Sequence, residues 1–378
     1  MLAKKLEVLR HQIDQLDKSL LNIIMKRMKL ISKIGEIKHR YGLPIYVPER
    51  EKSMLAMHRN QAEKVGISPD FFEDILRRII YESYSVQSKK GFQKIYPLLR
   101  PIVIIGGKGR MGQFFHHWLC LSNYQVKIID KDDWKNSHQI LSTAGMVIIS
   151  VPIRIIETII GQLPKLQDDC ILVDLCSIKT RPLKAMLSIH NGPVLGLHPL
   201  FAPDSNNDNP VKQIIIWCNG RNPEAYQWFL KQLTIWGISI HCISTIKHDQ
   251  NMAIIQALRH FTHFVYGLHL QQENVKIEDL LDFGTTMYRC ELFMMMGRFF
   301  TQDHNLYADI IMDSKLNLEI IKRYYVRFGE AIRILESSDK KKFIQSCIKI
   351  KEWLGVYNQQ FLAANNSLLV HCHDMYRE

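Results

Sequence analysis

Residues 1–40 read MLAKKLEVLRHQIDQLDKSLLNIIMKRMKLISKIGEIKHR, and apolar side chains recur in them at alternating steps of four and three. This spacing is the heptad pattern of a helix that packs lengthwise against a partner helix. The apolar positions are Leu2, Leu6, Leu9, Ile13, Leu16, Leu20, Ile23, Leu30, Ile34 and Ile37. Arg27 stands where the pattern requires Leu or Ile. Because arginine is rarely buried unless its charge is paired, Arg27 either extends to solvent or has a partner inside the bundle.

Two shorter helices are predicted after the first one. Residues 49–65 form a helix that ends before Gly66, and another helix begins with Ser68 as its N-cap and fades near Ser88. At 1.5 Å per residue the first helix is about 55 Å long, too long for two short helices to cover. The pattern therefore predicts a second copy of this helix as the partner, so we expect a homodimer.

The spacing changes at residues 102–105, a short buried strand that leads directly into Gly107-Lys108-Gly109-Arg110-Met111-Gly112. A helix over 113–122 and a strand over 126–130 follow, and this strand ends in Asp130. Strand, glycine motif, helix, strand and acid in this order predict a dinucleotide site at a helix N-terminus. Asp130 would accept hydrogen bonds from ribose hydroxyls, which favours NAD over NADP. The alternative is a tight turn that binds no ligand.

Further strands are predicted at residues 146–151, 170–175, 194–197, 213–217 and 238–242, with helical connections between the earlier ones. This alternation predicts a parallel, doubly wound sheet whose ligands bind outside the carboxyl ends of the strands. The candidate cofactor-binding residues are therefore Gly107, Gly109, Arg110, Met111, Gly112, Asp130, Val151 and Pro152. Ser177, Lys179 and His198 also lie just past or at strand ends.

The remainder of the chain has no proline after Pro223 and a helical spacing of apolar residues. Long periodic stretches cover residues 245–272, 277–300, 306–335 and 340–371. These stretches predict an all-helical domain of the kind that pairs subunits.

The net charge of +12 allows nucleic acid, acidic lipid or small anions as partners. No basic block is longer than Lys340-Lys341-Lys342 and no nucleic-acid motif accompanies it, so small anionic substrates are favoured. No apolar run approaches the roughly 20 residues that span a bilayer, and the N-terminus does not look like a signal peptide. We therefore expect a cytoplasmic protein without membrane or nucleic-acid partners. The eight scattered cysteines predict reduced thiols and no metal site.

Several segments together resemble one known family. They are residues 42–51 (GLPIYVPERE), 106–112 (GGKGRMG), 196–199 (GLHP), 247–253 (KHDQNMA) and 256–260 (QALRH). Over nearly its whole length the chain resembles the bifunctional T-proteins, in which chorismate mutase is fused to prephenate dehydrogenase. The resemblance implies a multidomain chain. It consists of an all-α, three-helix mutase domain that forms an intertwined dimer (1–90), a linker (91–100), an α/β Rossmann-like NAD domain (101–243) and an all-α dimerisation and substrate domain (244–370).

The resemblance implies that the N-terminal helices convert chorismate to prephenate. This pericyclic rearrangement needs cations around a dianion and donors to the ether oxygen. The matching residues bind the carboxylates (Arg10, Arg27), donate to the ether oxygen (Lys38, Gln87) and frame the substrate (Arg50, Glu51). Arg27 and Lys38 lie eleven residues apart and point the same way from the helix, whereas Arg10 lies about 100° off that face. Arg10 therefore suits the partner's pocket, and the resemblance implies sites shared between two protomers.

For the second half, the resemblance implies NAD-dependent oxidative decarboxylation of prephenate to 4-hydroxyphenylpyruvate, a step towards tyrosine. His198 matches the base at the ring hydroxyl, a role that suits a neutral imidazole. Ser177 matches the residue that hydrogen-bonds this hydroxyl and orients the histidine.

A substrate-binding set is implied in the helical domain. Arg298 matches the arginine that binds the ring carboxylate. The run Met294-Met295-Met296 is one residue longer than usual, which would turn Arg298 by about 100° and makes Arg289 the reserve. Matching segments also contain His248, Gln256 and His260, either as substrate contacts or as buried structural groups.

Two other functions remain open from the sequence. The first keeps the fold and changes the substrate to arogenate, the amino analogue of prephenate. The second is a non-catalytic NAD-binding sensor, which would need none of Arg27, Lys38 or His198.

Overall fold

The computed structural model describes residues 2–203 and 209–375. Contacts between Cα atoms divide the chain into two compact units, one up to Ile246 and one from Lys247 onward. The first unit contains long N-terminal helices and then a sheet with its helices, and the second unit is helical. The predicted order of an all-α, an α/β and a second all-α region is confirmed.

The N-terminal region forms the helices α1 Leu2–Tyr41, α2 Pro48–Lys64 and α3 Pro69–Ser88. Ser68 Oγ accepts a hydrogen bond from Phe71 N (3.4 Å), which confirms the predicted N-cap of α3. α3 packs against both α1 and α2. A Cβ at Gly35 in α1 would lie 3.1 Å from Gln87 Cα in α3, so the absence of a side chain lets the two backbones approach closely.

In the part of the chain that the structure describes, one sheet contains the strands β1 Ile102–Ile105, β2 Val126–Ile129, β3 Met146–Ile149, β4 Ile171–Asp174, β5 Val194–Pro199, β6 Ile214–Arg221 and β7 Ser239–Cys242. Their spatial order is β2-β1-β3-β4-β5-β6-β7. Strands β1 to β5 are parallel, as predicted. β6 pairs antiparallel with β5, so the prediction of a parallel sheet is wrong for the last two strands. The described residues between these strands, 200–203 and 209–213, contain no helix, and β6 runs back beside β5.

The helices α4 Arg110–Leu121, α5 Ser137–Ser142, α6 Ile156–Gly161, α7 Thr180–Ile189 and α8 Gln227–Ile235 accompany the sheet. Short 3₁₀-helices cover Lys131–Asn136, Ile153–Ile155 and Pro223–Tyr226. α4 begins directly after Gly109, so the glycine motif supplies the first turn of the helix as well as the loop.

One hydrophobic core extends from the N-terminal helices into the sheet region. The ring centroid of the buried Phe92 lies 5.3 Å from that of Trp118 in α4. Ile45 N donates a hydrogen bond to Ile235 O at the end of α8 (3.1 Å). Residues 91–100 contain no helix or strand, yet Phe92 anchors this segment in the core. The N-terminal helices and the sheet are therefore packed together as one body.

The helical region consists of α9 Thr245–Met252, α10 Arg259–Gln272, α11 Ile277–Phe283, α12 Thr286–Phe299, α13 His304–Met312, α14 Lys315–Glu336, α15 Lys340–Leu354 and α16 Tyr357–Met375. A π-helix, Ala253–Leu258, joins α9 to α10. Each predicted long stretch is therefore interrupted. Thr285 and Ser314 begin new helices because their side chains accept hydrogen bonds from backbone N–H groups, and Gly355, with φ +53°, ends α15.

The apolar stripe of α1 is largely uncovered in the single chain. Its described members are between 42% and 68% exposed: Leu6, Leu9, Ile13, Leu16, Leu20, Ile23, Leu30, Ile34 and Ile37. A contiguous apolar surface of this kind marks a site of protein–protein contact.

The cysteines differ from the prediction at one pair. Cys290 in α12 and Cys372 in α16 form a disulfide, so the prediction of reduced thiols is wrong for these two. Their Cα atoms lie 6.4 Å apart. Because 82 residues separate the two cysteines in sequence, their spacing gave no indication that they pair. Among the described residues there is no cluster of three or more His, Cys, Asp or Glu side chains that could hold a metal ion. No described helix is both long and apolar enough to cross a membrane.

Candidate active sites

Arg27, which interrupts the apolar stripe of α1, forms a hydrogen bond with a residue of α3. Its Nη1 donates to Ser83 Oγ (2.5 Å), and this hydroxyl donates to Ile79 O (2.6 Å). Burial lowers the pKa of the Arg27 guanidinium from its ordinary value because the charge is partly desolvated. Arg27 is therefore held against α3 by Ser83, a contact that sequence reasoning missed.

Gln87 lies one turn farther along α3 than Ser83. Its Nε2 donates to Ser83 O (3.1 Å), and the side chain is buried. Within the described residues, Gln87 Oε1 is buried without a hydrogen-bond partner. Because buried polar atoms are normally paired, this amide marks a place where a polar ligand atom or a water belongs.

Lys38 and Glu51 complete the polar wall beside these helices. Lys38 Nζ donates to Ile45 O (2.9 Å), and burial lowers the pKa of this lysine. The buried Glu51 accepts hydrogen bonds from Tyr84 OH (2.5 Å) and from Lys212 Nζ (2.5 Å). Burial, and then the bond to Glu51, raise the pKa of the Tyr84 hydroxyl, so Tyr84 remains a neutral donor.

The single chain does not bring all of the predicted mutase residues together. Arg10 is exposed and lies seventeen residues from Arg27 on the same helix, a rise of about 25 Å. Arg50 is also exposed. Arg27, Lys38, Glu51 and Gln87 are all at least partly buried. Any pocket that contains both Arg10 and Arg27 therefore needs a second chain.

A cavity of about 490 Å³ opens at the carboxyl ends of the first strands. Its lining comes from Ile105, Gly106, Gly109, Asp130, Lys131, Trp134, Ser150, Val151, Pro152, Ile155, Ile159 and Gln162. Four of the eight predicted cofactor-binding residues line it: Gly109, Asp130, Val151 and Pro152. Gly107, Arg110, Met111 and Gly112 belong to the loop and first turn of α4 beside it. Sequence reasoning missed other residues that line the cavity, among them Trp134 and Gln162.

The residues of this cavity fit a dinucleotide. A Cβ at Gly107 would lie 2.6 Å from Ile128 Cγ2, and one at Gly112 would lie 2.5 Å from Gly106 O, so only glycine permits this loop. The N-terminus of α4 has no side-chain cap, which leaves its N–H groups to an anion. Asp130 Oδ2 accepts from Lys108 N (3.2 Å), which holds the carboxylate at the edge of the glycine loop.

The ends of β4 and β5 are joined by a buried lysine. Lys179 Nζ forms an ion pair with Asp174 and donates to Leu197 O (2.7 Å), and both charged side chains are fully buried. Leu197 directly precedes the buried His198, so this pair fixes the backbone that carries the histidine. Ser177 lies on the same loop as Lys179 and is partly exposed. Sequence reasoning placed Lys179 at a strand end but missed its burial.

The helical unit buries a histidine among aromatic rings. The ring of His260 lies 4.9 Å from that of Tyr307 and 6.0 Å from that of Phe299. Burial, and the charges of Arg259 and Arg298 among others, lower the pKa of His260 to about 4. His260 is therefore neutral near pH 7, and Arg298 lies close enough to affect it.

The other predicted substrate contacts occupy different surroundings. His248 is fully buried, and its Nδ1 lies 2.8 Å from Asp249 Oδ1. Gln256 belongs to the π-helix, a distortion often found at functional sites. Arg289 Nε donates to Gly284 O (2.9 Å), so this arginine fastens the start of α12 to the end of α11.

Three protein-family models match the chain in sequence order. Residues 9–88 match chorismate mutase type II, residues 122–214 match the nucleotide-binding domain of prephenate dehydrogenase, and residues 244–350 match its dimerization domain.

Relatives of similar length carry the same combination. The chain is 56% identical over 373 residues to a T-protein from Enterobacter agglomerans, covering 99% of both chains. It is 44% identical to a T-protein from Haemophilus influenzae, covering 98% of both. Among solved structures, prephenate dehydrogenase from Aquifex aeolicus, in complex with hydroxyphenyl propionate and NAD+, superposes with a TM-score of 0.54 at 16% identity. That match covers 70% of this chain and 100% of that one. At this identity the match shows the fold alone.

Proposed function

This chain belongs to the family of bifunctional T-proteins, and we propose from its geometry how its residues divide two reactions between two sites. The chain is an enzyme of tyrosine biosynthesis: it rearranges chorismate to prephenate and then oxidatively decarboxylates prephenate to 4-hydroxyphenylpyruvate with NAD. The observation that carries this function is the 56% identity to a T-protein over 99% of both chains.

The mutase site centres on the polar wall between α1 and α3. Arg27 binds a substrate carboxylate, since its guanidinium is already fixed by Ser83 and offers further N–H donors. Lys38 donates to the ether oxygen, where negative charge grows in the transition state. Gln87 also donates there, because its Nε2 group has two N–H bonds and only one of them is used by Ser83 O.

The mutase site is completed by a second chain. Arg10 of one protomer serves the pocket of the other, because it lies about 25 Å from Arg27 on its own helix. Glu51 and Arg50 frame the substrate, Glu51 as a hydrogen-bond acceptor for a hydroxyl group. The exposed stripe on α1 and the match to a dimerization domain support a homodimer. Light scattering should give twice the mass of one chain, and a folded monomer would contradict the dimer.

The dehydrogenase site lies at the carboxyl ends of the parallel strands. Bound NAD supplies the acceptor for the hydride that leaves the substrate ring. The glycine loop Gly107–Gly112 and the start of α4 hold its pyrophosphate, including backbone at Arg110 and Met111, while Asp130 accepts from a ribose. Val151 and Pro152 line the cavity and would flank the cofactor. His198 takes the proton of the ring hydroxyl, and Ser177 hydrogen-bonds the same hydroxyl.

Substrate binding in the helical unit uses the groups near His260. Arg298 binds the ring carboxylate through its guanidinium, and its proximity to the buried His260 supports this role. His248, Gln256 and His260 shape the same site as polar groups.

The proposed domain bounds are compatible with the family matches. We propose a mutase domain at 1–90, a linker at 91–100, an NAD domain at 101–243 and a helical domain at 244–370, each containing or overlapping its matched segment. We also propose that the chain works in the cytoplasm. Its substrates are small anions. Arogenate preference and a non-catalytic sensor are not favoured, because the full-length relatives are T-proteins.

A coupled assay tests both activities in one cuvette. Chorismate with NAD should yield NADH in the wild-type chain. Arg27→Ala should abolish NADH formation from chorismate and retain it from added prephenate, whereas His198→Ala should abolish it from both and still consume chorismate. Equal loss of both activities in Arg27→Ala would contradict two separate sites.

A further inference from the structure

The carboxylate of Glu51 is held by donors from two different parts of the first unit. Tyr84 OH, in α3, donates to Oε2 (2.5 Å), and Lys212 Nζ, two residues before β6, donates to Oε1 (2.5 Å). Arg77 Nη1 lies farther away, 3.6 Å from Oε1. One carboxylate oxygen is thus fixed by the mutase helices and the other by the nucleotide-binding fold.

Lys212 is itself fixed by its surroundings. Its backbone adopts φ +66°, a left-handed conformation that residues other than glycine keep only where the structure enforces it. Its N–H donates to Gly237 O (2.9 Å), and its Nζ lies 5.3 Å from the ring centroid of Tyr46. The ammonium group is therefore directed at Glu51 before any ligand binds.

The pair occupies a partly desolvated position. The side chain of Glu51 is 9% exposed and that of Lys212 is 40% exposed, so solvent screens their attraction less than it screens a surface pair. A carboxylate has about four acceptor positions, so two donors leave room for a substrate hydroxyl. Without Lys212, the nearest remaining cation is Arg77, which would draw Oε1 towards a more exposed side chain.

We propose that Lys212, a residue of the nucleotide-binding fold, is a positioning residue of the mutase reaction. It holds Glu51 in the orientation in which this carboxylate frames chorismate, which rests on the assignment of Glu51 to the mutase site above. Lys212 lies outside residues 9–88, the segment that matches the mutase family. One cation that supports the mutase site is therefore supplied by the half of the chain that contains the dehydrogenase.

The test compares three full-length variants by separate mutase and dehydrogenase assays. Lys212→Met keeps an unbranched side chain of nearly the same length and removes its charge. It should lower mutase kcat/KM about tenfold or more, the usual effect of losing a charge-assisted hydrogen bond. Dehydrogenase kcat/KM with added prephenate should stay within about twofold. Lys212→Arg should restore most of the mutase activity, and the exposed Lys231→Met on α8 should change neither activity.

A double-mutant cycle distinguishes positioning from general destabilisation. If Lys212 acts through Glu51, Lys212→Met should have little further effect in the Glu51→Gln background. Any of three results would overturn the proposal. The first is that Lys212→Met leaves mutase kcat/KM unchanged, and the second is that it lowers mutase and dehydrogenase activity equally. The third is that it lowers mutase activity as much in the Glu51→Gln background as in the wild-type background. If the proposal fails in one of these ways but the wild-type chain still converts chorismate, the proposed mutase function stands. If the wild-type chain does not convert chorismate, the proposed function and the role of Lys212 are both overturned.

Discussion

The guanidinium of Arg27 donates a 2.5 Å hydrogen bond to the hydroxyl of Ser83, although 56 residues separate them in sequence. This bond uses one of the five N–H donors of the arginine and fixes the plane of the others. The residue that breaks the apolar pattern of α1 is therefore preorganised by α3.

Ser83→Ala should lower mutase kcat/KM by roughly tenfold, because Arg27 loses the bond that orients it. Dehydrogenase activity with added prephenate should not change. Ser88→Ala is a matched control, since the Ser88 hydroxyl bonds a carbonyl of its own helix and should be neutral. Equal effects of the two substitutions would show that Arg27 does not depend on Ser83.

Gly112→Ala should weaken NAD binding at least tenfold, because its Cβ would lie 2.5 Å from Gly106 O and the loop must move. The KM for NAD in the dehydrogenase assay measures this effect, and mutase activity should persist. Gly161→Ala provides the control, since a Cβ there meets no atom within 4 Å. A normal KM for NAD in Gly112→Ala would place the cofactor elsewhere.

Arg298→Gln and Arg289→Gln should separate substrate binding from helix anchoring. Arg298→Gln should raise the KM for prephenate by tenfold or more, because the ring carboxylate loses its charge-assisted partner. Arg289→Gln should lower the thermal midpoint of unfolding instead, since it removes the bond to Gly284 O. The reverse assignment would mean that Arg289 contacts the substrate.

The buried His260 should make stability depend on pH. Burial first, then nearby arginine charges, lower its pKa to about 4, whereas an unfolded histidine titrates near 6.5. Between these values the unfolded state binds more protons, so the free energy of unfolding falls as pH decreases from 6.5 to 4. Urea unfolding at pH 7 and pH 4.5 should show a smaller fall in His260→Phe than in wild type. The control His269→Phe, at an exposed site in α10, should behave like wild type. If the free energy of unfolding falls as much in His260→Phe as in wild type, His260 is not the source of the pH dependence.

Local patterns predicted most of the fold. The glycine motif between residues 102 and 130 predicted strand, loop and helix because each step is fixed by neighbours in sequence. The direction of β6 was missed because its antiparallel pairing with β5 is a contact between strands, which the local pattern of either strand does not encode. The breaks at Thr285 and Ser314 were missed because one capping side chain outweighs a continuing apolar period.

The sites were predictable only where a residue type is itself informative. Arg27 was detected because a charge interrupted an apolar stripe. Ser83 and Lys212 gave no such signal, because their proposed roles depend on contacts across 56 and 161 residues. The same limit applies to Cys290 and Cys372, which only the packing of α12 on α16 brings together.

The core that joins Phe92 to Trp118, and the bond from Ile45 to Ile235, limit how such a chain can be divided. A cut anywhere between residues 91 and 100 would leave two fragments, each with an apolar face open to water. The mutase helices and the nucleotide-binding fold are therefore not independent domains that could be exchanged one at a time. Recombination that swapped in a different mutase would have to remodel the receiving surface around Trp118 at the same time, and a lineage that lost one activity would still have to retain its scaffold.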